Sequence, residues 1–175
     1  MKREWIRLWT LLAAALWLAG CTTAQISVTR KGLPKVYEDY NETYQIKRDI
    51  RVVLFRFENY TDAPEAGLRA ANLMAGVLQA KGYRVYPYLK KAPKSLKKAR
   101  KIAKKAGARY FMTGGVSEWR YKNGIDAEPA VSLRLTLYKT KNAKPVWSAT
   151  GSDSDWGNAT LGTTAQNLMK EMLER

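Results

Sequence analysis

Two pairs of closely spaced carboxylates, Asp126 with Glu128 and Asp153 with Asp155, come nearest to residues that could run a reaction. Paired carboxylates cleave glycosidic bonds when one donates a proton and the other stays ionised. Neither pair stands in a recognisable sugar-cleaving context. The chain has no His, which excludes an imidazole base, a Ser–His–Asp arrangement and a His-bearing zinc site. Gly114-Gly115 brings neither a GxGxxG spacing nor a Walker lysine, so it is no phosphate cradle. No catalytic residue, metal or cofactor is therefore expected. The plain reading is that both acidic loops cap a sheet. An electrostatic reading is that the same loops, repeated around an oligomer, make a ring of negative charge that attracts cations.

The one cysteine, Cys21, follows a charged start (Lys2, Arg3, Arg7), an apolar stretch from Leu8 to Leu18 and the small residues Ala19-Gly20. The stretch has the length of a signal h-region and is short for a bilayer span. This pattern resembles the lipobox of a bacterial lipoprotein, whose cysteine sulfur is acylated and becomes the first residue after cleavage. An ordinary signal peptide with an incidental cysteine is the alternative. Thr22, not Asp, follows the cysteine; by resemblance to enterobacterial lipoproteins this favours the outer membrane. One cysteine forms no internal disulfide.

The whole chain of 175 residues carries 31 Lys and Arg against 15 Asp and Glu. From Cys21 onward the count is 28 against 14, or +14, so the basic character belongs to the mature protein. Nine cations and no acid lie between Lys90 and Lys105. On a helix they oppose Leu96, Ala99 and Ile102, leaving Lys97, Lys98, Lys101, Lys104 and Lys105 outward. Such a run is either a solvated face or a contact for anions. Export excludes nucleic acid as the physiological partner, and a tethered protein meets anionic headgroups first. Trp119 and Trp147 fall within strands and are expected in the core. Trp156, in Ser152-Asp-Ser-Asp-Trp-Gly157, is read as an interface or membrane-boundary anchor, or as a cover over the final helix.

The elements that position these residues follow from periodicity. Residues 1–20 are read as the signal, 21–48 as a lipidated tether and extended arm carrying Tyr37, Tyr40 and Tyr44, and 49–175 as one α/β domain. Ile50–Phe57 reads as a central strand, and Pro64 opens a helix lined by Ala66, Ala70, Leu73, Met74, Val77 and Leu78 and ended by Gly82. Tyr83–Pro87 is a short strand. Ser95 caps a second helix that stops at Gly107. Tyr110–Tyr121 is a long strand, bent or bulged at Gly114-Gly115. Val131–Tyr138 alternates cleanly, Val146–Thr150 returns, and Thr160–Leu173 is a final helix with Leu161, Ala165, Leu168, Met169 and Met172 inward. The order β-α-β-α-β-β-β-α gives a single compact layered α/β domain, a mixed sheet packed by helices, parallel first and hairpin-like later.

Several segments resemble the PelC family, outer-membrane lipoproteins of Pel exopolysaccharide export. They are Phe57-Glu-Asn-Tyr-Thr-Asp62, Ala66–Ala71, Gly114-Gly-Val-Ser-Glu-Trp-Arg-Tyr-Lys122, Gly124-Ile-Asp-Ala-Glu-Pro-Ala-Val131, Val146–Gly151 and Asp155-Trp-Gly157. The opening strand and helix also resemble the wider group similar to the TolB amino-terminal domain, which includes curli-secretion and penicillin-binding-protein activator lipoproteins. The PelC resemblance implies a non-enzymatic ring, dodecameric in the family, on the periplasmic side of the outer membrane. That ring lies beneath a β-barrel exporter with periplasmic helical repeats. Its negative funnel is expected to guide a cationic amino-sugar polymer, with Asp126 first and Glu128 second in the lining and Trp156 against the membrane. A mature charge of +14 suits this role only if charge is segregated, the Lys90–Lys105 run toward lipid and the acidic loops toward the pore. The wider group leaves another role open: an interaction lipoprotein that activates a cell-wall synthase or forms part of another secretion pore.

Overall fold

The computed structural model describes residues 25–29, 50–123, 127–155 and 159–174. Seven strands and three helices follow in the order β1 (Gln25–Thr29), β2 (Arg51–Phe55), β3 (Glu58–Asn59), α1 (Ala66–Ala80), β4 (Arg84–Tyr88), α2 (Leu96–Lys105), β5 (Tyr110–Tyr121), β6 (Pro129–Lys139), β7 (Pro145–Ser154) and α3 (Leu161–Glu174). They build one mixed sheet in the order β1-β7-β6-β5-β2-β4, with β3 beside β5. β2 is parallel to both β4 and β5, whereas β5, β6, β7 and β1 are successively antiparallel. The expected α/β class and its parallel-then-hairpin sheet are what is found.

Two strands enlarge the expected order. β1 lies inside the segment read as a tether and pairs with β7 from Gln25 opposite Ser152 to Thr29 opposite Ser148. β7 accordingly runs through the polar Gly151–Ser154 stretch, because ladders on both sides hold residues of low β propensity in place. β3 places Glu58 and Asn59 alongside Gly115 and Val116, just beyond the strand expected over Ile50–Phe57.

One face of the sheet carries α1 and α3 over Val52, Leu54, Met112, Leu133, Leu135, Leu137 and Trp147, all buried. Each such side chain contributes on the order of 1.5–3 kcal/mol when withdrawn from water. Trp119 joins this core, as expected. Among the described residues, the other face is covered by α2, over Val53, Phe55 and Phe111. There Phe111 stacks on Tyr138 at 5.0 Å and meets Phe55 edge-on at 6.1 Å.

Ser95 caps α2 by accepting from the Lys98 N–H at 3.3 Å, and Gly82 and Gly107 adopt the left-handed conformations that end α1 and α2. α1 begins later than Pro64 suggests. Glu65 sits before its first residue with φ of 60°, held by a two-oxygen ion pair to Arg56 at 3.0 Å. The buried stripe of α2 is Ala99 and Ala103, not Leu96, which is 44% exposed. Ile102 and Ala106 pack at the rim of the same patch, half-buried.

The glycine pair is not the site of the bulge. Gly114 and Gly115 keep regular register with Leu135 and Arg134, and the irregularity falls between Val116 and Glu118. A Cβ on Gly114 would lie 2.8 Å from the Phe57 ring, and one on Gly115 would lie 2.9 Å from the Tyr60 ring. Two aromatic rings, one at each glycine, dictate the pair.

Candidate functional site

The sheet gathers the acidic loops at one end. β5 ends there at Tyr121, β6 begins at Pro129, β7 ends at Ser154, and β1 enters at Gln25 opposite Ser152. The Lys122 N–H donates to the Glu128 carbonyl at 2.7 Å, closing the base of the loop that joins β5 to β6. The Asp155 N–H donates to the Pro129 carbonyl at 3.3 Å, bringing the segment after β7 to the same place. Asp126, Trp156 and Cys21 lie outside the described residues. The described residues that flank the first two, Ala127 and Asp155, lie at this end of the sheet, and Cys21 is four residues ahead of Gln25 in the sequence.

Glu128 is 11% exposed in its side chain and pairs with Lys122 at 3.1 Å. Its charge is therefore matched within the chain. Ala127 takes a left-handed φ of 41°, a strained turn for a residue with a Cβ, and separates Asp126 from that pair.

Asp153 lies on the α3 side of β7, opposite Val131. Burial raises its pKa, the charges of Asp155 and Glu171 raise it further, and a backbone hydrogen bond at Ser154 opposes them. A folded pKa above the unfolded one means the folded state holds the proton more tightly. Stability from this group is present at low pH and is lost as pH rises through its ordinary range toward the raised value. Asp153→Asn is expected to raise the melting temperature at pH 7 by about 1–2 °C. The gain should shrink as pH falls below the ordinary carboxylate range, where the group is protonated in folded and unfolded chains alike; thermal melts at pH 7 and pH 3 check this.

Below this end, Tyr60 is 60% exposed and rests against Gly115. Its hydroxyl donates to Glu58, which raises its pKa above the usual value ahead of burial and the Glu58 charge, while Arg134 opposes. Beside it opens a cleft of ≈510 Å³ lined by Asp62, Ser117, Glu118 and Arg120, in which Glu118 and Arg120 pair at 2.9 Å.

The basic run sits elsewhere. α2 lies over β2 and β5 on the opposite face, and its last turn leads into Tyr110, where β5 starts. β5 is 12 residues long, which separates its ends by about 36 Å. Lys97, Lys98, Lys101, Lys104 and Lys105 are all exposed. Arg100 is not part of that surface: its Nε donates to the Thr140 carbonyl at 3.0 Å and its Nη2 to the Lys141 carbonyl, locking α2 to the β6–β7 turn. Among the described residues no cluster of His, Cys, Asp and Glu could hold a metal ion.

Among solved structures, the PelC dodecamer of Paraburkholderia phytofirmans matches with 31% identity over 86% of this chain and 94% of its own, at a TM-score of 0.69. The chain belongs to the PelC family. A leucine-to-methionine variant of the same PelC dodecamer matches at 32% identity over 85% of this chain and 96% of its own, with a TM-score of 0.68. A scan of protein-family models and a search of curated proteins find no match.

In this PelC-family chain the fold thus brings Glu128, Asp153 and Asp155 to one end and keeps Lys97–Lys105 on a separate flank. Glu171 is the acid that sequence reasoning missed, since only the packing of α3 on β7 brings it near Asp153. Tyr60 was also missed as a surface feature. Its signal was the Gly114-Gly115 pair, which strand propensity disfavours unless something occupies the Cβ positions.

Proposed function

We propose that this PelC-family chain is a non-enzymatic lipoprotein, anchored through acylated Cys21 on the periplasmic side of the outer membrane. There it forms a homo-oligomeric ring that guides a cationic amino-sugar exopolysaccharide to a β-barrel exporter. The observation that carries this reading is the 31% identity to a dodecameric PelC over 86% of the chain. The shared sheet end of the acidic loops supports it, because repetition around a ring would multiply their charge at one level. Asp126 is the leading pore residue, with Glu128 behind it because Lys122 neutralises it.

The anchor and Trp156 meet the membrane from the same end as these loops. The five lysines of α2 form an anion-facing flank; they touch headgroups together with the anchor only when the strands lie along the bilayer.

Native mass spectrometry with electron microscopy of the lipidated protein in mild detergent is the direct test. A closed ring supports the reading. A monomer that binds a peptidoglycan synthase, and no exporter, replaces it with the activator role. In cells, Asp126→Asn is expected to cut polymer export severalfold, and Glu128→Gln less. Secreted-polymer assays check the order, and equal export by all three chains defeats the pore assignment.

A further inference from the structure

The cleft beside Tyr60, of ≈510 Å³, has the size of a small-ligand site and no part in the reading above. Two firmly held segments wall it. The first is the turn from Asn59 to Ala63. The Tyr60 N–H donates to the Val116 carbonyl at 2.9 Å, the Asn59 side-chain oxygen accepts from the Thr61 N–H at 3.1 Å, and the Asn59 amide donates to the Ala63 carbonyl at 2.9 Å. These bonds set the backbone from which the Tyr60 ring and the Asp62 carboxylate project before any ligand arrives.

The second wall is the β5 bulge. Neighbours in a regular strand face opposite ways, but the irregularity between Val116 and Glu118 lets Ser117 and Glu118 line the same cleft. There the Ser117 hydroxyl donates to the Ser132 hydroxyl at 2.9 Å.

The chemistry of these walls selects a ligand. The exposed Tyr60 ring, backed by Gly115, is a platform for the C–H face of a pyranose. The serine hydroxyls and the Glu118–Arg120 pair offer donors and acceptors together, as sugar hydroxyls require. Asp62 is exposed and makes no ion pair or side-chain hydrogen bond among the described residues. Its unmatched charge favours a cation and repels a phosphate or carboxylate. Trp119 also lines the cleft; it is 4% exposed and its indole N–H has no acceptor among the described residues, a donor left for a ligand or water oxygen. Glu118 stands three residues before the loop end of β5, about 10 Å along the strand, so the cleft adjoins the acidic loops. Resting on the export reading above, we infer that this cleft is a saccharide subsite: Tyr60 stacks on one ring of the amino-sugar polymer, Asp62 takes that ring's ammonium group, and Ser117 and Glu118 bond its hydroxyls.

Isothermal titration calorimetry of the full-length lipidated protein in mild detergent tests this, with glucosamine tetramer and N-acetylglucosamine tetramer as probes. The glucosamine tetramer is expected to bind more tightly. Tyr60→Ala should weaken both probes about tenfold, and Tyr60→Phe, which keeps the ring, should stay within about twofold of wild type. Asp62→Asn should weaken the glucosamine tetramer alone, by about two- to fivefold. Both positions are at the surface, and unchanged melting temperatures check that the variants fold. No binding by the wild type, equal affinity for the two probes, or binding indifferent to Tyr60→Ala overturns the subsite. Binding lost on Asp126→Asn but not on Tyr60→Ala overturns it too, because the polymer would then rest on the loops alone. Ring formation and secreted polymer test the export reading separately, and the titration reads neither.

Discussion

A chain carrying Cys21→Ser behind a cleavable, non-lipoprotein signal is expected to leave the membrane fraction almost completely. Each buried methylene contributes about 0.8 kcal/mol, so the several acyl chains proposed at Cys21 would make attachment stable. No helix among the described residues is long and apolar enough to cross a membrane. The domain itself should fold unchanged, since its core is complete from Ile50 to Leu173. Trp156→Ala in the lipidated chain should give the smaller defect, impaired seating or export with attachment retained. Fractionation followed by circular dichroism separates the two outcomes. A membrane-bound Cys21→Ser chain would show that something other than the acyl group holds the protein.

Gly67→Ala is expected to be the most damaging small substitution in the domain. A Cβ there would sit 2.2 Å from the Phe57 carbonyl oxygen and 3.0 Å from its carbon. Both are backbone atoms, so no rotamer change relieves the overlap. The contact is drawn tight by the Phe57 N–H, which donates to the Gly67 carbonyl at 3.4 Å. Moving α1 outward would loosen Ala70, Ala71 and Met74, all fully buried. The cost is about 3 kcal/mol, or about 10 °C in melting temperature. Gly76→Ala supplies the control in the same helix. Nothing lies within 4 Å of its Cβ position, and the change should stabilise by about 0.5–1 kcal/mol. If both substitutions shifted the melt alike, helix propensity and not packing would be at work.

What sequence could reveal followed from how local its cause was. The inward stripes of α1 and α3 and the alternation of β6 are set by spacing alone, and they stand where periodicity puts them. β1 had a signal as well: Ile26 and Val28 alternate with Gln25, Ser27 and Thr29. It was hidden by its setting between a lipobox-like segment and a polar stretch. Arg100 counted as one more cation in a run until the β6–β7 turn supplied carbonyls for it. The meeting of Asp153 with Glu171 is a property of packing, and no spacing along the chain encodes it. For the site, sequence identified the loops, and the fold added which of their charges is already matched.

The pairing of β1 with β7 has a mechanical side. With Cys21 acylated as proposed, a drag on the domain would be resisted there and would pass first into Gln25. Five residues of β1 lie antiparallel to β7 with their entry at the anchored end. Tension from an anchor at Cys21 would therefore run along the strand. It loads the cross-strand hydrogen bonds side by side in shear, so they must fail together. Had the chain entered at Thr29, the same pull would open them one at a time, like a zip. Were Cys21 acylated as proposed, the β1–β7 pairing would be the first part of the domain to take the load, ahead of the covalent chain that leads on to β2.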